Sequence, residues 1–234
     1  MNKPARKVDG LLFDKDGTLF DFHTTWSAWA GDLIEDLAQG DAAVRARLAS
    51  EMHYDLDERR FRPTSPIVAG TNREAAECVA RAVPDRKVEE LEIFLMETSA
   101  AAPQAETVPL AAFLQALAAE GLALGVATND TEHGARAHLG KAGVVDQFDF
   151  IAGFDSGHGA KPAPGPCLAF ARAVGLAPGR VAMVGDSTHD LLAGRAAGMQ
   201  TVAVLTGTAT RADLAPFADV VLPDIGHIPA WMIA

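Results

Sequence analysis

Short apolar runs that stop at turn-forming or acidic residues, separated by helical patterns, constrain this chain more than any other feature. Val8–Phe13 runs into DKDGT, Leu122–Ala127 into Thr128-Asn129-Asp130, and Val181–Val184 into Gly185-Asp186. Thr201–Leu205 and Val220–Leu222 have the same character, and Phe150–Phe154 is a weaker sixth. Runs of this length between turn residues read as buried strands. Helical patterns lie between them. Pro109 suits a first turn ahead of a stripe of Leu110, Phe113, Leu114 and Leu117, with Gly121 as the stop. Further helices are expected at Glu132–Ala142, Pro166–Val174 and Leu191–Ala197, the last stopped by Gly198. Strands alternating with helices give a parallel sheet covered on both faces. The expected fold class is therefore α/β, a Rossmann-like parallel sheet with helices on both faces.

The alternation fails between residues 22 and 103, where no convincing strand occurs. Four helices are expected there, at about 25–39, 42–54, 71–82 and 86–100. The link Arg59–Pro66, rich in arginine and proline, joins the second to the third. The expected division is an α/β core from residues 1–21 and 104–234 with a helical insert, residues 22–103.

Composition excludes several classes. The chain has 234 residues, 49% hydrophobic and 22% charged, the balance of a globular protein. A net charge of −11 repels a nucleic-acid backbone, so no nucleic-acid partner is expected. The sequence contains no apolar run long enough to span a bilayer, so no membrane partner is expected. The start, MNKPARKVDGLLFD, reads as a strand leading into acidic residues and not as a signal peptide. The two cysteines, Cys78 and Cys167, lie in different helical patterns and read as free thiols of a reducing cytoplasm. Oligomeric state leaves no mark in the sequence.

In a parallel sheet, ligands bind beyond the carboxyl ends of the strands. Those ends carry Asp14-Lys15-Asp16-Gly17-Thr18, then Thr128-Asn129-Asp130, then a loop with Lys161-Pro162, then Gly185-Asp186-Ser187-Thr188-His189-Asp190. One edge thus collects carboxylates, a lysine, hydroxyls and glycines. Gathered carboxylates repel one another unless a cation neutralises them. Hard oxygen donors suit Mg2+, which takes one or two carboxylates, waters and a substrate phosphate oxygen.

These residues carry a resemblance. Asp14-Lys15-Asp16-Gly17-Thr18-Leu19 resembles the DxDGT nucleophile motif of the haloacid dehalogenase-like hydrolase superfamily. Thr128, Lys161-Pro162, and Gly185-Asp186 with Asp190 match its other three motifs in order. The helical insert and the KPAPGP loop are similar to those of the branch containing phosphoglycolate phosphatases, in which the insert is a small cap. The resemblance implies a Mg2+-dependent phosphatase acting on a small phosphorylated metabolite, phosphoglycolate-like or a sugar phosphate, through an aspartyl-phosphate. It makes Asp14 the nucleophile and Asp16 the acid/base, with its side chain facing the leaving group. Lys161 becomes the neutralising cation. Gly17, Thr18, Thr128 and Asn129 become phosphate-binding residues. Asp14, Asp186 and the carbonyl of Asp16 become metal ligands; Asp190 binds through water or orients a ligand. A sugar phosphomutase of the same fold and a non-catalytic phosphate-binding regulator are the alternatives. The regulator predicts a missing nucleophile or lysine, and neither is missing.

Other residues admit plainer readings. His133 and His138 read as solvated helix residues, since no histidine pair has a zinc spacing. Trp26 and Trp29, at helical spacing, read as the insert's core. Asp55–Glu58 and Glu89–Glu92 read as solvated faces. Arg62, in the proline-containing link, is the candidate for pairing with a second anionic group of the substrate.

Overall fold

The computed structural model describes residues 6–62, 64–68 and 70–233; Pro63 of the arginine-rich link lies outside them. The chain opens with β1 (Gly10–Phe13). A π-type turn at His23–Ser27 then runs directly into α1 (Ala28–Ala38). Next come α2 (Ala42–Glu51), β2 (Tyr54–Asp55), β3 (Arg60–Phe61), α3 (Asn72–Ala82) and α4 (Val88–Ala101). The sheet resumes through α5 (Leu110–Ala119), β4 (Ala123–Ala127), α6 (Glu132–Lys141), β5 (Phe150–Ala152) and α7 (Gly165–Ala173). It ends with β6 (Val181–Gly185), α8 (Thr188–Ala196), β7 (Gln200–Val204), α9 (Arg211–Leu214), β8 (Val220–Leu222) and α10 (Ile228–Ile233).

Six strands pair in the order β5-β4-β1-β6-β7-β8, all parallel. The order runs outward in both directions from β1, so the crevice between β1 and β6 is the topological switch point where ligands of such sheets bind. The two-residue strand period splits β1 between two cores. Leu11 and Phe13 join the cluster under α5, α6 and α10, while Leu12 joins Cys167 and Phe170 of α7 on the other face. Burial of four consecutive β1 residues explains the continuous apolar run and its lack of alternation.

The helices between β1 and α5 have their own cluster, which includes Trp26, Leu33, Ile34, Leu48, Met52, Val79, Leu91 and Leu95. Two linkers join this block to the sheet and run side by side. Asp21 N–H donates to the Ala105 carbonyl (2.8 Å) and Thr107 N–H to that of Leu19 (3.0 Å).

The expectation of no strand in this block is corrected. β2 and β3 form an antiparallel hairpin, Tyr54 opposite Phe61 and Asp55 opposite Arg60. Strands of two residues are too short for an alternation signal. The hairpin rests on an edge-on pair of the Tyr54 and Phe61 rings, 5.4 Å apart, and on the Tyr54 hydroxyl donating to the Ser27 carbonyl. Its turn is tied by Asp55 Oδ1, which accepts from the N–H groups of Asp57 and Glu58. Part of that acidic cluster therefore shapes a turn.

Candidate active site

Asp14 follows β1 directly, and its N–H extends the ladder to the Val184 carbonyl of β6 (2.8 Å). Its carboxylate is buried and meets Lys161 Nζ at 2.6 Å. Lys161 Nζ also reaches Asp190 Oδ1 at 2.6 Å, so one buried ammonium bridges two buried carboxylates. The lysine's loop is fastened to the end of β4. Asn129 Nδ2 donates to the Lys161 carbonyl, and Lys161 N–H donates to Asn129 Oδ1, both at 2.9 Å. Thr128 Oγ1 accepts from Asp130 N–H, which shapes the same strand end.

Asp186 follows β6. It does not cap the next helix; Ser187 does, with Asp190 completing the capping box. Asp190 Oδ2 accepts from Ser187 Oγ at 2.7 Å while Oδ1 accepts from Lys161, so both its oxygens are engaged. Asp186 receives a long contact from Thr18 Oγ1 (3.5 Å), and among the described residues no basic side chain pairs with it. Asp14, Asp186 and Asp190 each offer an oxygen, all within 4.8 Å of one another. Burial pushes Asp14 up to about 7, with repulsion from Asp190 and Asp16 adding to the rise and Lys161 opposing it. Burial and the charges of Asp14 and Asp190 hold Asp186 well above the usual carboxylate range, again against Lys161. Such a set calls for protons or a further cation, and its hard oxygen donors fit Mg2+.

Gly17 and Thr18 stand behind this cluster and do not line its cavity. Gly17 has φ +84 and lies against the Asp186 carboxylate, so a side chain there would be strained and would clash. Its N–H is spent on the Phe20 carbonyl at 2.7 Å. Gly207, beyond β7, also lies so close to Asp186 that a side chain there would clash with its carboxylate. The sequence reading missed Gly207, although a glycine just past a strand end was the available signal.

Asp16 lies at the seam of two joined cavities. One, about 380 Å³ and open to solvent, is lined by Asp14, Thr128, Lys161, Asp186 and Asp190. The other, about 530 Å³ and likewise open to solvent, rises into the helical block past Phe22, Trp26, Trp29, Phe61 and Ile67. Asp16, Val68, Gly70, Asn129 and Asp130 line both.

Lys15 orients Asp16. Its fully buried Nζ lies 2.8 Å from Asp16 Oδ2, 3.0 Å from Asp130 Oδ2 and 2.9 Å from His138 Nδ1. It stands 5.4 Å from the centre of the Trp26 ring. Burial alone favours the neutral amine, but Asp16 and Asp130 outweigh it and hold the pKa of Lys15 above its ordinary value. The expectation that His138 is solvated is corrected: it is fully buried. Its Nδ1 faces the ammonium, so the proton sits on Nε2, which donates to the Ser99 carbonyl (2.9 Å) at the end of α4. Burial, and then Lys15, lower its pKa to about 4. No sequence signal marked this residue, because its partner Lys15 is 123 positions away.

Arg62 is not brought to the site. Its side chain is 63% exposed, faces Asp55 at 3.4 Å, and lines neither cavity. The hairpin turns it outward, an arrangement invisible while the segment read as an irregular link. Trp26 and Trp29 do pack in the block's core, and they also line the upper cavity.

With this geometry in place, residues 8–198 match the haloacid dehalogenase-like hydrolase family, and the chain belongs to it. Its relatives within that family include phosphoglycolate phosphatases. It is 29% identical over 214 residues to a phosphoglycolate phosphatase of Neisseria meningitidis, covering 88% of this chain and 84% of that one. It is 35% identical over 121 residues to one from Rhodospirillum rubrum, a match spanning 52% of this chain and only 50% of the relative. The crystal structure of a predicted phosphoglycolate phosphatase from Haemophilus somnus shares the fold, with TM-score 0.73 at 20% identity, over 96% of this chain and 98% of that one.

Proposed function

We propose that the chain is a Mg2+-dependent phosphatase that cleaves a small phosphorylated metabolite in two displacements at phosphorus. The observation that carries this reading is Asp14, buried at the switch point with Lys161 Nζ 2.6 Å away, Asp186 beside it and Asp16 two residues on. Asp14 attacks phosphorus, the bond to the alcohol oxygen breaks, and Asp16 gives that oxygen a proton. Asp16 then takes a proton from water, which attacks phosphorus and breaks the bond to Asp14. Inorganic phosphate leaves and both carboxyl groups are restored. Lys161 compensates charge on the transferring group, and the Thr128–Asn129 strand end borders it. A loose phosphoryl transition state needs mainly this positioning and neutralisation.

Asp14 and Asp186 would hold the metal directly, with the carbonyl of Asp16. Asp190, with both oxygens engaged, would act by fixing Lys161 and Ser187. When bound, the ion supplies the positive charge that this carboxylate cluster lacks. Residues 22–103 would form a cap that closes over the site, with hinges at the paired linkers. Among the described residues no helix is long and apolar enough to cross a membrane. Cys78 and Cys167 are buried free thiols, in keeping with a cytoplasmic enzyme. Relatives named for phosphoglycolate make that ester the first compound to test.

Chelator-treated protein should lose hydrolysis of p-nitrophenyl phosphate and regain it with Mg2+. At about 100 times its Kd, the ion should add about 2.7 kcal/mol of stability. That corresponds to a rise in Tm of about 5–10 °C for a chain of this size. Full activity and an unchanged Tm without metal would exclude the proposed cluster.

A further inference from the structure

The upper cavity carries chemistry of its own. It adjoins the Asp14–Lys161 pocket at Asp16, the residue that the phosphatase reading places at the leaving oxygen, so it is the space offered to the group esterified to the phosphate. Its walls are Phe22, Trp26, Trp29, Phe61, Ile67 and Ala75, and the ionisable groups among its described lining residues are Asp16 and Asp130, both acidic.

Among the described residues, no arginine of the helical block lines it. Arg59 pairs with Asp32, Arg60 with Glu58, Arg62 with Asp55 and Arg81 with Glu51, while Arg73 meets Glu77, Glu89 and Glu92. Lys15 lies sealed beneath, committed to Asp16, Asp130 and His138. A substrate carboxylate here would meet no unpaired cation among the described lining residues and would face two carboxylates.

Several neutral polar groups of the lining are also committed. Trp29 Nε1 donates to Thr98 Oγ1, Asn72 Nδ2 to the Glu92 carbonyl, Thr71 Oγ1 to Glu74 and Ser99 Oγ to the Met96 carbonyl. Hydroxyls of a sugar would be left mainly to the carboxylates of Asp16 and Asp130, already paired with Lys15, whereas an apolar or aromatic body would find Trp and Phe faces.

We infer that the leaving group is an uncharged alcohol with an apolar or aromatic body, and that the cavity disfavours both glycolate and polyols. The inference rests on the phosphatase reading and narrows its substrate class.

The test compares kcat/KM, with saturating Mg2+, for 2-phenylethyl phosphate, phosphoglycolate and glycerol phosphate. All three release aliphatic alcohols, so leaving-group activation differs little. The expected result is a preference for the phenylethyl ester of about tenfold or more over each of the others. Burying an aromatic side chain's worth of apolar surface supports a factor of that order. Trp26→Ala should shrink the preference mainly through KM for the phenylethyl ester. The wild-type ranking decides the matter even if that variant fails to fold. Phosphoglycolate or glycerol phosphate hydrolysed as well or better would overturn the inference and leave the phosphatase reading standing. No hydrolysis of any ester, p-nitrophenyl phosphate included, would overturn the phosphatase reading and this inference with it.

Discussion

Asp14→Asn should lower kcat by about 10⁴-fold or more while the far-UV circular dichroism stays that of the wild type. The size follows from the side chain's place in a unit whose members fail together. An amide is nearly the same shape but a poor nucleophile, so the bond to phosphorus cannot form at a useful rate. It also withdraws a charge from the Asp14–Asp186–Asp190 cluster, weakening its hold on a cation. The fold should survive because Lys161 keeps Asp190 as a partner at 2.6 Å. Steady-state turnover of an aryl phosphate measures the effect. Activity within tenfold of the wild type would assign the nucleophile elsewhere.

Lys161→Met should damage stability and catalysis together. Lys161 is 4% exposed, and its ammonium lies 2.6 Å from both Asp14 and Asp190. Burial alone would favour the neutral amine, yet the two carboxylates outweigh it and hold its pKa above the ordinary lysine value. Removing one partner of a buried pair leaves uncompensated charge and typically costs about 3–5 kcal/mol. Loss of a preorganised group that meets transition-state charge costs about 10²–10³ in kcat. Urea unfolding without metal reads the first and turnover with Mg2+ the second. An unchanged unfolding midpoint would mean that the pairing does not hold these loops together.

The sheet was legible because each of its strands is a short apolar run with an identifiable end. Val220–Leu222 coincides with β8, and the others shift by a residue or two at their ends. The site residues taken from strand ends come together for the same reason: a parallel sheet delivers every strand's carboxyl end to one edge, so Asp14, Thr128, Lys161 and Asp186 share one cavity.

What stayed hidden depends on contacts between distant segments. Lys15 reads as an ordinary motif position until α6 brings His138 beneath it. His138 reads as solvated because its own helix, with Glu132, Arg136 and Lys141 around it, is polar. Arg62 reads as a specificity residue until a two-residue hairpin turns it toward Asp55. The aromatic cavity was half visible. Trp26 and Trp29 were placed in the block's core, where they do pack, but one ring can serve a core and a cavity wall at once.

The proposed mechanism carries a phosphoryl group on Asp14 between two displacements. The stereochemical course at phosphorus tests it most directly, using a substrate made chiral with oxygen isotopes and a thiophosphoryl group. Each in-line displacement inverts the configuration. Two successive displacements, on Asp14 and then by water, predict overall retention in the released thiophosphate. Overall inversion would mean that water attacks the substrate in a single step, and would contradict the account.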